Sequence, residues 1–179
     1  KKFITQPTFL TNDFERRVRY FSRNRLNRDS WVQLVRRDFL LANGIHFLNI
    51  YSQDMVFMMC ELCCAKRYLL LPNIFYHWRQ RDALNAQEEP DTPQTIQKYA
   101  STLKQGVNYL DEFLNRQEFF AARADLKYML FDTLFAAILE RLNDTYKKIS
   151  AYEICELLHK EFDDDDIFTA FLFNAMNVY

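Results

Sequence analysis

The sequence predicts a mainly α fold with a few short β-strands, an α+β arrangement in which an antiparallel helical bundle packs on a mixed first half. Three observations lead there. Apolar residues keep a helical period through almost all of residues 93–179, whereas residues 1–88 mix short apolar runs with turns. Between them lies Asn85-Ala86-Gln87-Glu88-Glu89-Pro90-Asp91-Thr92-Pro93, a polar stretch with two prolines and almost no apolar anchors, which reads as a loop. Residues 1–88 and 93–179 are thus expected to be two differently organised portions.

In the first portion, Trp31-Val32-Gln33-Leu34-Val35 alternates like a strand. Arg37 to Asn43 then reads as a short helix stopped by Gly44, a residue that tolerates a left-handed cap. Ser52 is placed to cap a second helix, in which Met55, Met58, Met59, Leu62 and Cys63 recur at steps of three and four and make one face. Lys66 and Arg67 fall in its expected last turn, where cations oppose the helix dipole. Tyr68-Leu69-Leu70-Leu71 and Ile74-Phe75-Tyr76-His77-Trp78 are β-type runs on either side of Pro72-Asn73, expected to be neighbouring edge strands.

In the second portion, Thr92 with Pro93 supplies a cap and a first-turn proline. Ile96, Tyr99, Ala100, Leu103, Val107, Leu110 and Leu114 then keep the helical period over about seven turns. The pattern resumes from Glu118 to Leu142 through Leu126, Met129, Leu130, Phe131, Leu134 and Ile138. Ser150 with Glu153 forms a capping box before Ile154, Leu157 and Leu158. The last segment, Ile167 to Val178, is apolar nearly all round and needs partners on more than one side, so a homodimer through the C-terminal helices is a possible assembly.

Composition excludes several function classes. The 179 residues are 49% apolar and 26% charged, with 17 Phe, 10 Tyr and 2 Trp, enough for a packed core and against disorder. Only Gly44 and Gly106 are glycines, so neither G-x-G-x-x-G nor a P-loop is present. No apolar run approaches the roughly 20 residues that span a bilayer, and the start has no signal-peptide core. The chain therefore reads as soluble and cytoplasmic, and its start without Met reads as a fragment or processed product. Cys60, Cys63 and Cys64 share one helix face without a second ligand pair for zinc, and with Cys155 read as buried thiols.

Net charge is −1 but unevenly spread. Residues 1–40 hold ten Lys/Arg against four Asp/Glu, and residues 140–179 hold four against nine. The basic end, with Tyr20, Phe21 and Trp31 among its arginines, suits phosphates, nucleic acid or an anionic membrane surface, with a solvated helix face as the plain alternative. No nucleic-acid-binding module is recognisable in it, and no nucleic-acid partner is expected.

Four constellations bear on chemistry. Asp163-Asp164-Asp165-Asp166 contains a formal D-x-D suited to a hard cation, but it precedes an apolar helix, where acidic residues stabilise the N-terminus. His77 lies in an aromatic run and reads as a packed side chain. Arg79 and Arg81 alternate around Gln80, so in an extended segment both guanidiniums leave one face, which suits either a diphosphate or a solvated strand edge. Asp54 lies at the start of the second helix, either as a first-turn acid helping the dipole or as a general base on a rigid element.

Three stretches in order resemble the C-terminal half of bacterial family 2 glycosyltransferases. They are Trp31-Val32-Gln33-Leu34-Val35-Arg36-Arg37-Asp38-Phe39-Leu40, then Asn43-Gly44-Ile45-His46-Phe47 leading to Tyr51-Ser52-Gln53-Asp54-Met55-Val56-Phe57, then Ile74-Phe75-Tyr76-His77-Trp78-Arg79-Gln80-Arg81. They are similar to the family's W-x-K-L-x-R-R-x-F-L segment, N-x-I-x-F turn, E-D-x-x-F motif and Y-x-Y-R-x-R strand. The likeness covers roughly residues 28–85, and the helical remainder resembles a variable extension. Gln33 replaces the family's Lys, Gln53 its Glu, and Leu84 a frequent Ser.

The resemblance implies the acceptor-side half of a GT-A type fold, with the nucleotide-binding half carried by residues outside this chain. It implies Asp54 as the catalytic base, Arg79 and Arg81 near the donor diphosphate, and Trp31 and Trp78 on the acceptor side. A nucleotide-sugar donor, a polysaccharide or glycolipid acceptor and a divalent cation, Mg or Mn, are implied for the longer parent. No metal is expected on this chain itself, and peripheral contact with the inner membrane surface is compatible with it. A non-catalytic helical interaction module is the alternative.

Overall fold

The computed structural model describes residues 5–10, 12–23, 30–50, 53–73, 76–77, 93–116, 124–145, 156 and 159–162. Ser52, Trp78, Arg79, Arg81, Thr92, Cys155, the Ser150 and Glu153 box, Asp163 to Asp166 and the segment Ile167 to Val178 all lie outside them. Among the described residues the chain is mainly helical with one small antiparallel sheet, in keeping with an α+β fold.

The sheet pairs β1 (Thr8–Phe9) with β2 (Leu69–Leu70), Thr8 opposite Leu70 and Phe9 opposite Leu69. Leu10 N–H continues the ladder to the Tyr68 carbonyl at 2.7 Å, and the Leu10 side chain is buried. Of the strand expected at 74–78, only Tyr76 and His77 are among the described residues. Leu10 enters the core beside Tyr68, and Tyr76 and His77 are exposed without regular structure. His77 is therefore not the packed side chain expected of it.

Helix α1 (Phe14–Ser22) is capped by Asp13, whose carboxylate accepts from Arg16 N–H at 3.2 Å. Glu15 and Arg19, one turn apart, pair at 2.7 Å. Val18 and Phe21 are buried, and so is Arg17, so the basic stretch is not simply a solvated face. The Arg17 guanidinium lies over the Phe14 ring at 5.6 Å, and its Nε and Nη1 have no hydrogen-bond partner among the described residues. Burial pulls its pKa down, against weaker support from Cys63 and Asp13.

A 3-10 turn, Ser30–Val32, stands where alternation suggested a strand. Gln33 N–H closes it on the Ser30 carbonyl at 3.3 Å, and no strand among the described residues pairs with residues 33–35. Helix α2 (Arg37–Asn43) ends as expected: Gly44 takes φ 64°, its N–H reaches the Leu41 carbonyl, and Ile45 N–H reaches that of Leu40 at 2.9 Å. These two bonds make a Schellman motif, closed by Ile45 entering the core beside Leu40.

Helix α3 (Gln53–Cys64) is the centre of the fold, buried without a break from Met55 to Leu62 and packed on α1, on the 3-10 turn and on both later helices. It stops at Cys64, and Lys66 and Arg67 lie exposed beyond it instead of in its last turn, because the chain must turn there into β2. Cys60 is buried, and Cys63 and Cys64 are half-buried, all three as free thiols.

Helix α4 (Pro93–Asn115) opens on its proline and buries Ala100, Leu103, Val107, Leu110 and Leu114, the expected stripe. It crosses α3 closely at Gly106, where a Cβ would lie 2.7 Å from Ile50 Cδ1 and 3.4 Å from Val56 Cγ2. Helix α5 (Ala124–Thr145) buries Leu126, Leu130, Phe131, Leu134 and Phe135. The beginning expected near Glu118 lies outside the described residues. Lys127, one turn into α5, pairs with Asp111 and donates to Asn115 Oδ1 at 2.9 Å, so the end of α4 meets the beginning of α5. Phe162 is buried edge-on against Phe135, with ring centroids 5.5 Å apart. No helix among the described residues is long and apolar enough to cross a membrane.

Candidate functional site

Asp54, Met58 and Glu61 are four and three residues apart on α3, so they lie along one helix face. The 3-10 turn, Gln33 and Tyr68 meet that face. Asp54 is half-buried in the first turn of α3, where a carboxylate also complements the helix dipole, and its Oδ1 accepts a hydrogen bond from Ser30 Oγ at 2.6 Å. One turn further, Gln33 Nε2 donates to the Tyr68 hydroxyl at 3.0 Å and lies in hydrogen-bond range of Met58 Sδ.

Deeper along the same face Glu61 is only 3% exposed, and neither carboxyl oxygen has a hydrogen-bond partner among the described residues. Burial pushes its pKa up to about 7. Tyr68 is raised to about 12, first by burial and then by the nearby Glu61 carboxylate, against which the Gln33 hydrogen bond acts weakly. The face therefore grades from a carboxylate at the rim, already in contact with a hydroxyl, to a carboxyl in the interior that burial keeps protonated well above the usual carboxylate range.

No family model, no curated protein and no solved structure matches this chain.

Of the residues expected at a site, Asp54 is half-buried, and Trp31, next to the residue that touches it, is 42% exposed. Arg79, Arg81 and Trp78 lie outside the described residues. An open depression bounded by Phe9, Leu10, Asn12 and Arg67 does not include Asp54. Among the described residues no group of three or more His, Cys, Asp or Glu could hold a metal ion, so the divalent cation implied by the resemblance finds no ligand set there.

Sequence reading missed Ser30, Glu61 and Tyr68 as members of this face and noted Gln33 only as a departure from a pattern. Glu61 did leave a signal: it is the lone acid in an apolar helical run, in step with Asp54 and Met58. Ser30 left none, since its role depends on a contact 24 residues away.

Proposed function

We propose that this chain is the acceptor-side portion of a family 2-like glycosyltransferase of GT-A type, in which Asp54 is the general base and residues 93–179 form a helical extension. The observation that carries the reading is the position of Asp54: a rim carboxylate on a rigid helix that already holds a hydroxyl at 2.6 Å. The ordered segments around it, from Trp31 to Arg81, give the reading its family.

In this mechanism Ser30 Oγ stays on Oδ1 and orients the carboxylate, while the acceptor hydroxyl approaches the other Asp54 oxygen and passes its proton to it. The freed oxygen forms a bond to the anomeric carbon of the donor sugar as the bond from that carbon to the diphosphate breaks. The nucleoside diphosphate leaves with the electron pair, and Arg79 and Arg81 offer guanidinium donors to its charge. A divalent cation, held by residues outside this chain, would add charge neutralisation when bound. Trp31 and Trp78 line the acceptor side. The enzyme works in the cytoplasm, in peripheral contact with the inner membrane surface, on a polysaccharide or glycolipid acceptor.

The test is Asp54→Asn in the full-length parent, assayed by release of nucleoside diphosphate from a nucleotide-sugar. Loss of a general base predicts a fall in kcat of roughly 100-fold or more with helical content unchanged. Near wild-type turnover would remove the assignment.

A further inference from the structure

Residues 31–35 are arranged the wrong way round for a water-facing turn. The amide of Gln33 points inward to Tyr68, while its apolar neighbours Trp31, Val32, Leu34 and Val35 are all exposed, Leu34 by 87%. A loose loop is not the reason, because the segment is fastened at two points, Ser30 to Asp54 and Gln33 to Tyr68. Held in place, it presents a tryptophan and three aliphatic side chains to solvent. The backbone then runs directly into Arg36 and Arg37, both exposed, and Leu41, one turn beyond Arg37 on the outer side of α2, is exposed by 65%.

We propose that this surface, Trp31 to Arg37 with Leu41, docks on an anionic lipid bilayer. The proposal names the surface behind the peripheral membrane placement of the proposed enzyme, on which it rests, and it does not depend on the chemistry of Asp54. Tryptophan and aliphatic groups enter the boundary between headgroups and acyl chains, and arginines extend from the same stretch to lipid phosphates. Charge favours a bilayer over a protein partner. Against the exposed Asp38, the segment carries two exposed guanidiniums, Arg36 and Arg37, directly after its exposed apolar residues. An anionic lipid surface answers that excess over its whole extent. Docking there would hold Ser30 and Asp54 beside the bilayer, where a lipid-linked acceptor is presented.

The test is cosedimentation of the chain with vesicles of phosphatidylcholine alone and of phosphatidylcholine mixed with phosphatidylglycerol. A Trp78→Phe variant leaves Trp31 as the fluorescent reporter. The expected result is retention on the mixed vesicles, weakened by salt, with a blue shift of Trp31 emission. R36Q/R37Q should weaken partitioning roughly 30-fold, and L34S/V35S at least about 10-fold, with circular dichroism unchanged. Asp54→Asn should bind as the wild type does, so loss of transfer and loss of docking are separate results. Absence of retention on mixed vesicles, or equal retention of the R36Q/R37Q variant, would overturn the proposal. Self-association abolished by L34S/V35S without vesicle binding would also overturn it, and would give the face to a second copy.

Discussion

Ser30 Oγ donates to Asp54 Oδ1 at 2.6 Å across 24 residues of sequence, tying the 3-10 turn to the first turn of α3. The bond fixes the rotamer of the carboxylate proposed as base and sets the docking segment beside it. Ser30→Ala should therefore lower kcat of the parent enzyme about tenfold through lost orientation. The S30A/D54N pair should lose no more than D54N alone, because the serine acts through the carboxylate. Additive losses in steady-state kinetics would separate the two residues.

Glu61 predicts a pH dependence of stability. Its carboxyl is raised from 4.5 to about 7, so the folded chain holds this proton more tightly than the unfolded chain. The contribution is most favourable below the unfolded value and falls as pH rises from 4.5 to about 7, after which it is flat. Its size is up to about 3 kcal/mol. Urea unfolding at about pH 5 and about pH 8 should show this decline in the wild type and little of it in Glu61→Gln, which should be the more stable of the two at the higher pH.

Gly106 sits where α4 crosses α3. Ala would gain up to about 1 kcal/mol of helix propensity but press on Ile50 Cδ1, the movable end of a half-buried side chain, so Gly106→Ala should change stability by less than about 1 kcal/mol. Gly106→Val must also displace Val56 and should cost about 1–3 kcal/mol. Thermal unfolding of both variants checks the order.

Lys127 joins Asp111 and Asn115 in a partly buried cluster, in which Asn115 also donates to Asp111 at 2.9 Å. A double-mutant cycle with Asp111→Asn and Lys127→Met should give a coupling of about 1 kcal/mol, above the usual exposed ion pair because both side chains are largely withdrawn from water. Coupling near zero would make the cluster incidental to the α4 and α5 junction.

The helices were legible because their signals are local. The αL cap at Gly44, the first-turn proline of α4 and the stripes of α4 and α5 each depend on residues within a turn or two of one another, whereas the single apolar face expected of α3 is in fact burial on every side from Met55 to Leu62. Asp54 was legible for the same reason, as an acid at a helix start. What tertiary structure alone decided are the contacts made by closing long loops. Among them are the pairing of Thr8 and Phe9 with Leu69 and Leu70, the inward turn of Gln33 that leaves Trp31 and Leu34 facing outward, and the burial of Arg17 and Glu61. Periodicity says which face of an element is apolar. It does not say which element lies opposite, and whether a charged or apolar side chain ends inside or outside depends on that opposite surface.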